Sequence, residues 1–477
     1  MRQQRNKFRQ IAAFLILLIV LLGAYESYTL LVNGSRWIAS SVNPRVKSES
    51  ENVIRGDIYD RNNVLLASTN DGTRVFQPKE KDRRSVVHVL GDNNRNVANG
   101  VEAFHVGYLL GFHTSLAERV VQLIHQNTVR KGDDLVLTID SKLSTHVYDV
   151  FQKQAGNKKG AVVVMNYQTG EILCSISFPT FDPENSSTTA KEDTSQPFWD
   201  RASQGLYPPG STFKIITLAC AIENLPDALS RTMVCTGHLK AGDSVVTDAG
   251  NAAHGSISLM DAFSVSCNNV FASLAMELGD AKLRKTAEKF GFNDNFLFPD
   301  LVIENSSYPL TGRNEREIAW SGVGQSALLT TPIHLCMVTS SIANQGKMME
   351  PTLILKALSD NQADHPIIRT TLKPKTYKKP ISEHVAQAIK NAMNPTVSSG
   401  SGRKAAVPGL TINGKTGSAQ TVLEGRNVTH AWFTGFIDST HLPYTVTVLV
   451  EEGNSGSQAA APIAKNIFSY LKKQYVP

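Results

Sequence analysis

The run Ile11 to Tyr25 (IAAFLILLIVLLGAY) constrains this chain most, because fifteen uncharged residues stand together with cations before them. Apolar residues resume at Tyr28, Leu30, Leu31 and Val32. A helix from Ile11 to Val32 rises about 33 Å, enough to cross a bilayer core. No clear Ala-x-Ala-like cleavage site follows Gly23-Ala24-Tyr25-Glu26, so the segment reads as a retained anchor rather than a signal peptide. Arg2, Arg5, Lys7 and Arg9 form its basic flank. That flank is expected to stay cytoplasmic, which places the remaining bulk outside the membrane.

The formal charge is +6, and those four cations account for most of it. The rest carries about +2, a near-neutral body that gives no electrostatic footprint for nucleic acid. The 477 residues are enough for two or three domains. The five cysteines (Cys174, Cys220, Cys235, Cys267 and Cys336) show no CxxC pairing or metal-ligand spacing. With no HExxH among the twelve histidines, neither a metal site nor a cofactor is expected.

The residues after the anchor are polar and mixed to about 140, with short strand-like pieces such as Val64-Leu65-Leu66-Ala67. Lys131 to Asp140 reads as a turn leading into an alternating strand. Gly160 to Met165, the turn Gln168-Thr169-Gly170 and Glu171 to Ser177 form a hairpin that opens the main domain. Beyond it, helix-like and strand-like stretches alternate irregularly, which indicates an α+β fold. The expected division is 1–32 for the basic flank and membrane helix, 33–150 for a small non-catalytic pedestal, and 151–477 for the main domain.

Three short stretches carry chemistry. In Tyr207-Pro208-Pro209-Gly210-Ser211-Thr212-Phe213-Lys214 a turn ends and an apolar helix begins at the serine. The N–H groups and dipole there favour developing negative charge. Lys214, three residues on, shares a face with Ser211. Lysine can take a serine's proton only if its pKa falls from about 10.4 towards neutrality, about 4 kcal/mol of lost solvation and repulsion. Taken alone, an N-cap serine with an exposed lysine explains the same pattern.

In Ser264-Val265-Ser266-Cys267-Asn268 the hydroxyl of Ser266 and the carboxamide of Asn268 can converge from a tight loop between helices, although a capping motif would look alike. In Leu410 to Thr421, read as a strand, Lys415, Gly417 and Ala419 face one side. Gly417 leaves room for a peptide to lie against that strand, and Lys415 supplies a second cation. Thr416 and Ser418 can bond a carboxylate.

Gly409 to Thr416 also satisfies the P-loop expression G-x-x-x-x-G-K-[ST]. That mechanism needs an apolar strand before and a helix after. Ser401 to Pro408 is not such a strand, and no good helix starts at Gly417.

S-x-x-K at Ser211, S-x-N at Ser266 and K-T-G at Lys415 stand in the order seen in serine acyl-transferases that react with penicillin. The chain resembles the penicillin-binding proteins, and among them the class B, monofunctional transpeptidases. Arg55-Gly56-Asp57-Ile58-Tyr59-Asp60-Arg61-Asn62 is similar to that class's RGxIxDRN stretch. Thr138-Ile139-Asp140, Ala319-Trp320 through Gly324-Gln325, Thr330-Thr331-Pro332 and Gln458 to Pro462 are similar to further family stretches. Asn63 departs from a frequent Gly, at a turn position that Asn tolerates, and Ser418 from a frequent Thr.

The resemblance implies a penicillin-binding, serine β-lactamase-like domain: an antiparallel sheet flanked by helices. It implies that Ser211 is the acylated nucleophile and Lys214 its base, that Ser266 and Asn268 line the site, and that Lys415, Thr416 and Ser418 bind the substrate's terminal carboxylate, with Gly417 on the same substrate-binding strand. The backbone N–H groups of Ser211 and Ser418 would form the oxyanion hole. The substrate would be the D-Ala-D-Ala end of a peptidoglycan stem peptide, and β-lactams would acylate the same serine. Partners implied are a polytopic SEDS-type glycosyltransferase and other divisome or elongasome proteins. Two other readings share these motifs: a β-lactamase or penicillin sensor, and a non-catalytic scaffold. No Glu between Ser266 and Lys415 is followed by Asn four residues later, as class A β-lactamases would require. The septal, elongation or sporulation role and the acceptor amine are not written in the sequence.

Overall fold

The computed structural model describes residues 2–38, 53–113, 130–186, 194–309, 314–360, 363–423 and 425–475. Helix α1 (Arg2–Ile38) contains, at Arg9–Thr29, the one segment among the described residues long and apolar enough to cross a membrane. Its large apolar side chains from Ile11 to Tyr28 are more than half exposed almost throughout, a surface that water does not tolerate but lipid does.

The following region builds on a six-stranded sheet ordered Ile368–Thr371, Ile354–Leu358, Asp134–Leu137, Ile58–Tyr59, Leu65–Asn70, Thr73–Phe76. Two of those strands come from far along the chain, so the pedestal is completed by a hairpin borrowed from the main domain. Asp134–Leu137 is buried at every position rather than alternating, because this borrowed hairpin lies along one edge and other elements cover both faces. Asp60 is fully buried and accepts hydrogen bonds from the backbone of Asn62 and Val64. It also accepts from the Ser141 N–H and hydroxyl, which ties the pedestal to the start of the next helix. Asn63 has φ +58°, the left-handed position expected for it.

That next helix, α2 (Ser141–Ala155), is capped by Asp140, whose side chain accepts from Leu143 N. The boundary expected at 150/151 falls inside it. Leu143, Val147, Val150 and Phe151 pack under the main sheet, so α2 belongs with the C-terminal domain. The polar start Ser141-Lys142 hid this helix from pattern reading.

The main sheet is antiparallel throughout. Its strands are β1 (Gly160–Asn166), β2 (Ile172–Phe178), β3 (Ile412–Leu423), β4 (Arg426–Ile437) and β5 (Tyr444–Val450), ordered β3-β4-β5-β1-β2. The run GAVVVM in β1 is apolar at every position because both faces are covered. Val162 and Val164 face α2 and the C-terminal helix Ala461–Tyr475, whereas Ala161, Val163 and Met165 face the other helices. The helix Pro332–Ala343 packs directly on that face, where Ser340 reaches Met165, and α3 (Lys214–Asn224), α4 (Leu259–Val265) and α5 (Asn268–Leu278) share the same core. Between α3 and α4 an insertion forms two antiparallel pairs, Thr232–Cys235 with Gly255–Ser258 and His238–Ala241 with Ser244–Thr247. Strand β3 is at the sheet edge, and its open side faces the cleft that the helices leave.

Candidate active site

Ser211 sits in a 3-10 turn, Gly210–Phe213, that feeds α3 at Lys214. The serine therefore lies one tight turn before the α-helix proper, not at its first residue. Pro208 and Pro209 fix the approach. Trp432 Nε1 donates to the Pro208 carbonyl at 3.0 Å, and the Thr212 hydroxyl donates to the Pro209 carbonyl at 2.7 Å. Gly210 has φ +54°, and a Cβ there would stand 3.0 Å from the Ser418 carbonyl oxygen. Only glycine lets the serine turn press this closely against β3.

The turn is also braced from behind. Glu451, just past β5, accepts from Arg201 Nε at 2.8 Å and from the Tyr207 hydroxyl at 2.7 Å. Arg201 is 1% exposed, so removing it strands a largely buried carboxylate. Arg201→Met is expected to cost about 3–5 kcal/mol. Tyr207→Phe is expected to cost about 1.5–3 kcal/mol. Denaturant unfolding of the full chain in detergent checks both, and equal, negligible losses would show that Glu451 braces nothing.

Ser266 closes α4 in the left-handed conformation (φ 65°, ψ 38°), and Asn268 opens α5. This unfavourable backbone, held by the packing on either side, turns both the Ser266 carbonyl and its hydroxyl towards Lys214. The Lys214 amine is fully buried. It contacts the Ser266 carbonyl at 2.6 Å, the Asn268 Oδ1 at 2.8 Å and the Ser266 Oγ at 3.3 Å. From the other side Lys415 Nζ reaches the same Ser266 Oγ at 2.8 Å. Two buried lysines thus share one hydroxyl.

Burial lowers the Lys214 pKa to about 7, against a smaller opposing pull from Cys267 and Asp248. Lys415 is pushed well below the usual lysine range, first by burial and then by repulsion from Lys214. Two ammonium groups cannot both stay charged in so dry a place.

Residues Ser211, Ser266, Asn268, Thr416, Gly417 and Ser418 line a single cavity of about 760 Å³, with Lys214 and Lys415 beneath its floor. All eight residues singled out from the sequence therefore meet. Thr416 and Ser418 alternate outward from β3 into the cavity, as the strand reading required. Gly417 does something other than expected. A Cβ there would lie 3.0 Å from the Pro209 carbonyl oxygen and from Thr212, so the glycine admits the serine turn rather than the substrate. The G-K-T stretch lies inside a strand and opens no helix, which removes the P-loop reading.

Other residues of the cavity escaped the sequence. Ser401, in a Ser-Gly stretch that the sequence marked only as no apolar strand, accepts from the Thr416 hydroxyl at 3.0 Å. Gln325, with its amide turned to satisfy both groups, bonds the backbone N and O of Gln420 at 3.0 and 3.1 Å. That bond caps the open edge of β3. Cys235, Asp248, His254 and Cys267 bring four ligand atoms within 4.8 Å of one another at the cavity's rear wall. The sequence, with no ligand spacing to read, anticipated no such set.

A family profile for the penicillin binding protein transpeptidase domain matches residues 160–469, more than half of the chain. The peptidoglycan D,D-transpeptidase PbpA of Mycolicibacterium smegmatis is 28% identical across 96% of this chain and 97% of its own length. The stage V sporulation protein D of Bacillus subtilis is 32% identical across 71% of this chain, which spans only 53% of that longer protein. Among solved structures, the ceftriaxone acyl-enzyme of penicillin-binding protein A from M. tuberculosis superposes with a TM-score of 0.78. It is 26% identical, over 88% of this chain and 99% of that one. With the cleft geometry, the profile match and full-length likenesses of this kind, the chain belongs to the penicillin-binding protein transpeptidase family, among its class B members.

Proposed function

We propose that this protein is a membrane-anchored serine D,D-transpeptidase that cross-links peptidoglycan stem peptides. The observation that carries the proposal is the pair of buried lysines meeting at the Ser266 hydroxyl below a cavity lined by Ser211. In this reading a stem peptide ending in D-Ala-D-Ala lies along the open edge of β3, with its carboxylate at Thr416 and Ser418. The neutral Lys214 amine takes the Ser211 proton as Ser211 Oγ attacks the penultimate D-Ala carbonyl. The N–H groups of Ser211 and Ser418 receive the oxyanion, each donor typically worth about 3–4 kcal/mol. Collapse expels D-Ala, whose nitrogen takes a proton through Ser266. A neighbouring stem's amine then attacks the ester, and Ser211 regains its proton. The arriving carboxylate favours the charged form of Lys415, offsetting part of its burial.

By the same reading α1 spans the membrane with its basic end in the cytoplasm, the pedestal stands outside, and the catalytic domain reaches the wall. A polytopic glycosyltransferase of the SEDS type would supply the glycan strands, with the pedestal as its contact.

The test is direct. The full chain in detergent, given a stem peptide ending in D-Ala-D-Ala and an acceptor peptide with a free amine, is expected to release D-Ala and form the cross-linked product. Penicillin should block both. Release of D-Ala without cross-linking would make it a carboxypeptidase, and steady hydrolysis of penicillin a β-lactamase. Either result overturns the proposal.

A further inference from the structure

Strand β3 offers a pairing edge to the cleft, and one of its rungs is already taken. The Gln325 carboxamide donates to the Gln420 carbonyl at 3.1 Å and accepts from the Gln420 N–H at 3.0 Å. A carboxamide carries the same donor and acceptor as a peptide group, so Gln325 bonds this residue as a neighbouring strand would. Backbone groups two residues apart on a strand point the same way, so the N–H and carbonyl of Ser418 face the cleft as well. We propose that Gln325 is a specificity residue that ends the donor-peptide site at the Ser418 rung. This role rests on the proposed function.

The register follows from antiparallel pairing. Two opposed residues exchange both hydrogen bonds, and the next such pair lies two residues further along each chain. With the scissile carbonyl of the penultimate D-Ala at the Ser418 N–H, the N–H of the same D-Ala donates to the Ser418 carbonyl. The next rung, about 6.8 Å along β3, is Gln420. Its partner would be the stem residue two before the penultimate D-Ala, and Gln325 holds that place. The stem therefore leaves the strand, and whatever precedes its last three residues meets no main-chain partner on β3. The donor class is then any peptide ending in D-Ala-D-Ala, with little discrimination further back.

The backbone around Gln325 is built to hold it there. Gly210 N donates to the Gly324 carbonyl at 2.8 Å, and Gln325 N donates to the Trp320 carbonyl at 2.9 Å. Gly324 has φ +77°, and a Cβ there would stand 1.9 Å from the Gly210 carbonyl oxygen. Ser326 takes φ +72°, which serine rarely adopts. Two left-handed residues thus flank Gln325, in a turn bonded to the one that carries Ser211. Such a conformation persists only where its surroundings over-determine it. The nucleophile and the blocked rung keep a fixed separation, so the serine turn itself sets how much of β3 a donor can reach.

The test compares two donors on the full chain in detergent: an acetyl-capped tripeptide ending in D-Ala-D-Ala, and the stem pentapeptide, which carries two more residues in front. For the parent, kcat/KM for D-Ala release should agree within about threefold, because residues that meet no partner add no binding. Gln325→Ala vacates the Gln420 rung and should raise the pentapeptide-to-tripeptide ratio by about fivefold or more, the low end of what two hydrogen bonds contribute. Gln325→Ser clears the same rung and repeats the measurement should the alanine variant not fold. A ratio that neither variant moves overturns the proposal. So does an equal loss on both donors, which would make Gln325 only a brace for β3, and so does a parent that already favours the pentapeptide beyond that margin. D-Ala release from either donor upholds the acyl-transfer reading whatever the ratio does. Two penicillins that differ only by two amide-linked residues on the side chain report the same rung through acylation of Ser211 alone, and should show the same shift.

Discussion

Ser211→Ala is expected to abolish covalent labelling by a fluorescent penicillin and to cut D-Ala release by about 10⁴-fold or more. The change removes one oxygen from a turn that is held by other atoms. Gly210 N donates to Gly324 O at 2.8 Å, Thr212 bonds the Pro209 carbonyl, and Trp432 bonds the Pro208 carbonyl. None of these involves the Ser211 hydroxyl. Stability should therefore stay within about 0.5 kcal/mol of the parent, so lost labelling cannot be put down to unfolding. Mass spectrometry of the parent should place the penicilloyl group on the peptide that contains Ser211. Ser266, Ser401, Ser418, Ser455 and Ser457 line the same cavity and test for misassignment. Label that persists in the alanine variant, or that maps to one of those five, removes Ser211 from its role.

Why the proposed nucleophile could be singled out at all bears on what a sequence records. Ser211, Lys214, Ser266, Asn268 and Lys415 were legible as three short motifs, and only the family resemblance implied their roles. A hydroxyl at a helix entry and an amine one turn later must stand three apart. The strand Lys415 to Ala419 was legible because alternation decides which side chains meet the cleft. Gly417 shows the limit. Its lack of a side chain was evident, but whether substrate or protein filled the space depended on the turn Pro209–Thr212, two hundred residues away.

The α2 boundary was missed because a polar helix start looks like loop until the core beneath it is seen. Ser401 and Gln325 were missed because each acts through one contact made by tertiary packing. Cys235, Asp248 and His254 sit on an insertion of short hairpins with no periodicity, where spacings of thirteen and six residues carry no ligand pattern. What the sequence conceals here is convergence between distant segments, not chemistry.

Lys214→Ala is expected to slow acylation by about 10³-fold, within the range that a positioned general base supplies. Lys214→Arg should not restore it, because a guanidinium keeps its proton and has no lone pair to offer. The pH dependence separates a base from a structural cation. Burial disfavours the charged amine, so its pKa falls to about 7 and the free base increases with rising pH. An ordinary lysine, with a pKa of about 10.4, would be about 0.1% free base at pH 7.5, whereas one at 7 is about three-quarters free base.

The penicillin acylation rate should therefore rise about tenfold per unit below pH 6 and level off above about 8. A rate that is flat from pH 5 to 9, or still climbing at 10, would show that Lys214 does not take the proton. The contacts already point one way. A neutral Lys214 amine has two N–H groups, and the Ser266 carbonyl and Asn268 Oδ1 use them at 2.6 and 2.8 Å. Its lone pair is left to meet a hydroxyl proton. Lys415, donating to Ser266 Oγ at 2.8 Å, occupies that oxygen's acceptor side and leaves the Ser266 proton available for transfer. The same three groups can return a proton to the leaving amine, so losing either lysine breaks both directions of the transfer.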